Sequence, residues 1–142
     1  MKNKIFKSGD YYNLFYENKD YNLEAKYVHE KLIHHKLKGN SILELGCGTG
    51  KHAANLTKYD YKVLGIEKSE SMLNKVIKSK NFEVRKGDIR QIKLDKQFDC
   101  VISLFHVMSY QITNESLKSV FITALNSLKN KGIFLFDFWF GP

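Results

Sequence analysis

The chain has 142 residues, 43% of them hydrophobic and 13% aromatic, which is enough apolar material to close one core and too little length for several. No uncharged apolar run reaches about eighteen residues and MKNKIFKSGD offers no apolar segment of signal-peptide length, so neither a membrane span nor a leader is expected and the expected compartment is the cytoplasm. A formal charge of +8 invites a nucleic-acid partner, but the lysines are interspersed with acids, densest loosely between Lys68 and Lys96, and a solvated surface accounts for most of them.

The first twenty residues hold Tyr11, Tyr12, Phe15 and Tyr16 among polar residues, too aromatic for a solvated tail, and are expected to fold over something. Leu23, Tyr27, Ile33 and Leu37 sit near helical spacing, which predicts a helix from Asn22 to Leu37 with Asn22 as cap and Gly39 as stop. The pattern then alternates. Strands are predicted at Ile42–Leu45, Lys62–Ile66, Phe82–Lys86, Phe98–Leu104 and Gly132–Phe138. Helices are predicted at Lys51–Lys58, Ser69–Ser79 and Asn114–Leu128. In the last of these Leu117, Val120, Phe121, Ala124, Leu125 and Leu128 fill one face, and Asn114 offers the cap. Strands apolar on both faces and separated by helices imply an α/β fold, a parallel sheet covered on two sides with right-handed crossovers. No repeat, low-complexity tract or linker interrupts it, which predicts one domain: residues 1–40 a cap segment and helix, 41–140 a core.

The stretch ILELGCGTGKH carries the first chemical signal: a strand running into a turn with Gly46, Gly48 and Gly50 at alternate positions. A glycine turn between strand and helix is where a nucleotide-like ligand meets backbone. The G-x-G-x-x-G dinucleotide fingerprint fails at its third glycine, and no G-K-[ST] completes a P-loop. Glu44 ahead of the turn suits a ligand with a positive charge, where a pyrophosphate would be repelled. Glu67 ends the second strand at about the spacing at which a carboxylate accepts both hydroxyls of a ribose. Asp88, after the third strand, is placed to accept from the exocyclic amine of a purine. Adenosine joined to a cation satisfies all three.

These segments resemble the class I S-adenosylmethionine-dependent methyltransferases. ILELGCGTG is similar to the first motif of that family, VLGIEKSESML to its second, GDIR to its third, FDCVISLFHVMSY to its fourth, and LNSLKNKGIFLFDFW to the segment ending in its fifth strand. The resemblance implies a Rossmann-like, doubly wound sheet of order 3-2-1-4-5, with S-adenosylmethionine at the switch between strands one and four. It implies that Gly46, Cys47, Gly48 and Gly50 hold the methionine part, that Glu44 organises its ammonium, and that Glu67 binds the ribose. Met72 and Ile89 would flank the adenine, and Asp88 would bond its amine. Lys68, Leu104 and Phe105 are assigned to the same cofactor site, and Tyr11 and Tyr16 are candidates to reach it from the N-terminal segment. LFYENKDYNLEA and the DFWFGP ending resemble small-molecule members, of the aminosugar N-methyltransferase kind and of polysaccharide-biosynthesis clusters.

Transfer from a sulfonium is an in-line displacement, so alignment and exclusion of water are what such a protein must supply, with a base only if the acceptor must lose a proton. His106, in LFHVMSYQ, is the candidate base, although next to Phe105 and Val107 it could equally pack or bond backbone. Asp137 could hold an amine or hydroxyl of the acceptor or bond a neighbouring loop. Trp139 and Phe140 could form a substrate wall or cover the core. Cys47 is read as a small residue whose backbone matters. Cys47 and Cys100 make neither metal spacing nor disulfide framework, and no metal is required. No Asn-Pro-Pro-Tyr motif marks a base or glutamine methylase.

The family fold continues with two more strands, whereas this sequence stops at Pro142. The expectation is a truncated or fragmentary member whose apolar fifth strand forms an exposed edge and could pair with a second copy. The function expected is methyl transfer to an amino or hydroxyl group of a small acceptor, with a nucleotide-linked sugar as the candidate. A partner-completed cofactor-binding module and an RNA methyltransferase are the alternatives.

Overall fold

In a computed structural model the described residues are 20–104, 107–111 and 113–137. Tyr11, Tyr16, Phe105, His106, Trp139 and Phe140 lie outside them.

Five parallel strands form one sheet in the order β3-β2-β1-β4-β5. They are β1 (Ser41–Leu45), β2 (Lys62–Glu67), β3 (Phe82–Lys86), β4 (Phe98–Ser103) and β5 (Leu128–Phe136). This is the doubly wound, Rossmann-like order that the motifs imply. The register aligns Ile42 with Val63 on one side and with Cys100 on the other, so β1 and β4 sit side by side at the point where the winding reverses. Ligands of such sheets bind outside the carboxyl ends of the strands at that point.

The pleat decides which residues face which layer. Ile42, Val63, Cys100 and Ile102 turn toward α1 (Tyr21–His34) and α2 (Lys51–Leu56), where Ala25, Val28, Leu32, Ala53 and Leu56 meet them. Leu43, Leu45, Leu64, Ile66 and Val101 turn the other way, toward Val120 and Ala124 of α4 (Asn114–Asn126) and the loop residues Ile89, Ile92 and Leu94. Each fully buried leucine or isoleucine contributes on the order of 2 kcal/mol of burial free energy, so the two layers are what hold the sheet. Gly65 of β2 lets Cys47 lie against it: an added Cβ would come within 2.6 Å of the thiol.

Several local expectations are corrected. The α1 cap is Asp20, whose side chain accepts from the Leu23 amide, and not Asn22. The core face of α1 is Tyr21, Ala25, Val28 and Leu32, at helical spacing, and Leu23 (61% exposed), Tyr27 (58%) and Ile33 point outward. The α4 cap is Thr113 rather than Asn114, and Leu125 is exposed. The helix expected over Ser69–Ser79 is a single turn, α3 (Glu70–Leu73), because the Ile77 amide leaves the helical ladder and donates to the carbonyl of Thr49 at 2.9 Å. The last strand begins at Leu128, inside the expected helix, where Leu128 pairs with Phe98 across a register shift.

Candidate active site

The turn between β1 and α2 is built on β2. The Gly46 and Cys47 amides both donate to the carbonyl of Ile66, at 2.9 and 3.0 Å, and the Gly48 amide donates to Oε1 of Glu67 at 2.8 Å. Oε2 of Glu67 accepts from the Lys68 and Ser69 amides, both at 3.0 Å. One carboxylate therefore fixes the turn after β1 against the start of α3. A carboxylate has about four acceptor sites, and three backbone donors leave room for a hydroxyl.

The three glycines do different things, which corrects the expectation that all of them make room for ligand. A Cβ on Gly50 would come within 2.4 Å of the Phe82 ring, so Gly50 serves packing, whereas one on Gly46 would come within 2.9 Å of Val107, which lines the same cavity as Gly46. Gly48 alone opens on space: its φ is +58° and a Cβ would meet nothing within 4 Å. It lines a cavity of about 490 Å³, of the size that takes a small-molecule ligand. Gly46, Cys47, Glu67, Lys68, Met72, Asp88, Ile89 and Leu104, all expected at the cofactor site, line the same cavity. Burial pushes the Cys47 thiol upward in pKa, which makes it inert as a nucleophile.

Glu44 and Gly50 do not line the cavity. The pleat of β1 turns Glu44 toward α2, where it is 1% exposed, so it stands behind the turn and not on the cavity wall. Burial, and after it the neighbouring Glu67 charge, raises its pKa to about 8, so its carboxyl is mostly protonated at neutral pH. Among the described residues its Oε1 has no hydrogen-bond partner, and its Oε2 lies 4.0 Å from Nδ1 of His52. His52 faces the cavity and places Nε2 2.7 Å from Oε1 of Glu24. Tyr21 packs edge-on against His52, ring centroids 4.9 Å apart, and Lys51 places its ammonium over the Tyr21 ring at 5.2 Å.

At the other end of the cavity Asp88 is not the solitary acceptor that the sequence suggests. Nη2 of Arg90 donates to its Oδ2 at 2.8 Å, Nε reaches both oxygens, and the Arg90 amide donates to Oδ1 at 2.9 Å. The Arg90 hydrogen bonds hold the Asp88 carboxyl at about 2, well below the ordinary carboxylate range. It is a fixed anion at the edge of an apolar wall of Met72 and Ile89.

Asp137 lies elsewhere, in a second groove with Glu24, Tyr27 and Leu135, which meets the first at Leu104. Sequence reasoning missed Tyr21, Lys51, His52, Arg90 and Gln111 as cavity residues. For Lys51 and His52 the signal was present, since both directly follow the glycine turn. For Tyr21 and Gln111 the signal was coarser: Tyr21 lies in LFYENKDYNLEA and Gln111 ends LFHVMSYQ, both stretches singled out in the sequence.

The donor set fits an adenosyl group carrying an amino acid: a glycine with open space, a carboxylate at the end of β2 with an acceptor site left, an apolar wall and a fixed anion beyond it. A methyltransferase-domain model matches residues 42–132. The chain is 31% identical over 136 residues to a dTDP-3-amino-3,4,6-trideoxy-alpha-D-glucopyranose N,N-dimethyltransferase of Streptomyces venezuelae, covering 94% of this chain and 57% of the relative. It superposes on the crystal structure of Streptomyces venezuelae DesVI with a TM-score of 0.83 at 29% identity, covering 94% of this chain and 58% of that one. With the sugar N-methyltransferase KedS8 of Streptoalloteichus sp ATCC 53650 the TM-score is 0.79 at 27% identity, covering 92% and 54%. The chain thus spans little more than half the length of these relatives.

Proposed function

The chain belongs to the methyltransferase domain family, and on that premise we propose that it binds S-adenosylmethionine in the first cavity and serves methyl transfer to the amino group of a nucleotide-linked sugar. The observation that carries the proposal is the gathering of Gly48, Glu67 and Asp88, from the carboxyl-end side of three successive strands, around one cavity. The bound cofactor supplies an electrophilic methyl group on a sulfonium.

The residues have separate tasks. Gly48 lets the methionine part approach the backbone. Glu67, already oriented by three amides, has an acceptor site left for a ribose hydroxyl without reorganising. Met72 and Ile89 would flank the adenine, and Asp88 would accept from its amine. Alignment of the methyl group with the acceptor and exclusion of water supply most of the rate. The relatives named for dTDP-aminosugar N,N-dimethylation support the choice of an amine acceptor.

The test is incubation of the chain with isotopically labelled S-adenosylmethionine and a dTDP-linked 3-aminohexose, followed by mass spectrometry of the sugar nucleotide. The expected product carries one or two labelled methyl groups. Cofactor binding without transfer would count against the acceptor and leave the cofactor site standing. One observation favours a second reading, a module completed by a partner or a second copy: β5 pairs only with β4 among the described strands, and Ile133, Phe134 and Leu135 are only partly buried.

A further inference from the structure

Along the sequence the lysines are interspersed with acids, but the fold sorts them. All strand pairs are parallel, so every strand enters the sheet at one edge and leaves at the other. Each enters beside an exposed lysine: Lys80 just before β3, Lys62 opening β2, Lys38 just before β1, Lys96 just before β4 and Lys131 near the start of β5. In the spatial order β3-β2-β1-β4-β5 these lysines form one row along the amino edge. At about 4.8 Å per strand, the row is about 19 Å long.

Among the described residues none of these five lysines has an ion-pair partner, whereas Lys129 at the same edge is held 3.2 Å from Asp99. Asp60 and Asp95 are exposed in the same connections, and Glu83 lies 3.6 Å from Arg85, so the acids here are fewer than the lysines. Glu24, Glu67, Asp88 and Asp137 lie at the opposite edge, around the two cavities. Much of the formal charge of +8 is thereby concentrated away from the cofactor site. Exposed amides share the row: Asn40, Asn81, Gln97 and Asn130. No large apolar side chain is exposed in residues 36–40, 78–81, 95–97 or 129–131.

We infer that this amino edge binds the phosphodiester backbone of a nucleic acid, without reading its bases. Lysine and amide side chains are donors to phosphate oxygens, and such contacts set position without carrying sequence. An anionic membrane surface is gripped by charge together with apolar side chains sunk among the lipids, and the edge exposes none. It likewise exposes no aromatic ring on which a base could stack. The edge lies across the sheet from the cofactor cavity, so a bound strand leaves that cavity open. The inference stands independently of the methyl-transfer reading.

The test is fluorescence anisotropy of the unaltered chain with labelled oligonucleotides, single-stranded and duplex, in two unrelated sequences. Five phosphate contacts predict a log–log salt slope of about −3.5 for a single strand, a roughly hundredfold loss of affinity between about 50 and 200 mM salt. The two sequences should bind alike. Lys38→Glu with Lys80→Glu should lower the slope by about 2. Lys26→Glu with Lys118→Glu, exposed positions in the first halves of α1 and α4, changes the net charge equally and should leave the slope unaltered. No binding at low salt, or equal losses in the two double variants, overturns the inference. So does binding to phosphatidylserine vesicles with none to any oligonucleotide. Displacement of the strand by S-adenosylhomocysteine would put it in the cofactor cavity and overturn the inference as well.

Discussion

Gly48 donates its amide to the Glu67 carboxylate at 2.8 Å, and this one bond ties the turn after β1 to the end of β2. Glu67→Gln keeps the shape of the side chain, but its amide nitrogen must face at least one backbone N–H. The loss of a charge-assisted acceptor costs about 1–3 kcal/mol locally. Hydrogen exchange at the Gly48, Lys68 and Ser69 amides should accelerate together in this variant; unchanged protection at all three would show that Glu67 does not hold the turn.

Gly48→Ala and Gly50→Ala should fail in different ways. At Gly48 the added methyl meets nothing, so the cost is the left-handed backbone, about 1–2 kcal/mol, and a Cβ projecting into the cavity. At Gly50 the methyl must displace the Phe82 ring as well. Thermal denaturation should show the larger loss for Gly50→Ala, and ligand titration the larger loss per unit of stability for Gly48→Ala. The reverse order would mean that Gly48 is a structural residue.

Glu44 makes stability fall as pH rises. Its folded pKa of about 8 lies above the ordinary 4.5, so from about 4.5 upward the folded chain keeps a proton that the unfolded chain has released. Stability contributed by the neutral acid is complete below that window and is lost progressively until about pH 8. Glu44→Gln mimics the neutral form and should gain on the unaltered chain across the window, read as Tm against pH. A Tm difference that does not change with pH would contradict a neutral Glu44.

The Asp88–Arg90 pair acts at the opposite limb. Asp88 is held near 2, below the ordinary 3.8, so its stabilisation is present above the ordinary value and disappears as pH falls toward 2. Arg90→Ala should move the acid-unfolding midpoint to higher pH while leaving stability near neutrality less affected than Glu67→Gln does. An unmoved midpoint would place the ionisation of Asp88 under another control.

The sheet was readable in the sequence because β1, β2 and β4 are buried on both faces, and a short apolar run between turn signals suits a buried strand better than a helix. Glu67 was readable because it ends β2, and Asp88 because it follows β3 by two residues, so both fall at the carboxyl edge of the sheet. What stayed hidden depended on neighbours. Leu23, Tyr27 and Ile33 are larger apolar residues than Ala25, yet Ala25 is fully buried and they are exposed. Ile77 leaves its helix for the Thr49 carbonyl, a long-range bond with no local signal. Glu44 occupies the motif position of a ligand-facing acid, but the pleat sends it toward His52, and only the structure shows that His52 rather than Glu44 meets the cavity.

The most direct test of the cofactor site is calorimetric titration of the 142-residue chain with S-adenosylhomocysteine, with Glu67→Ala alongside. Saturable one-to-one binding is expected, weakened roughly tenfold or more in the variant. A folded chain that takes up no S-adenosylhomocysteine, or a variant that binds it as tightly as the unaltered chain, would contradict the assignment of this cavity.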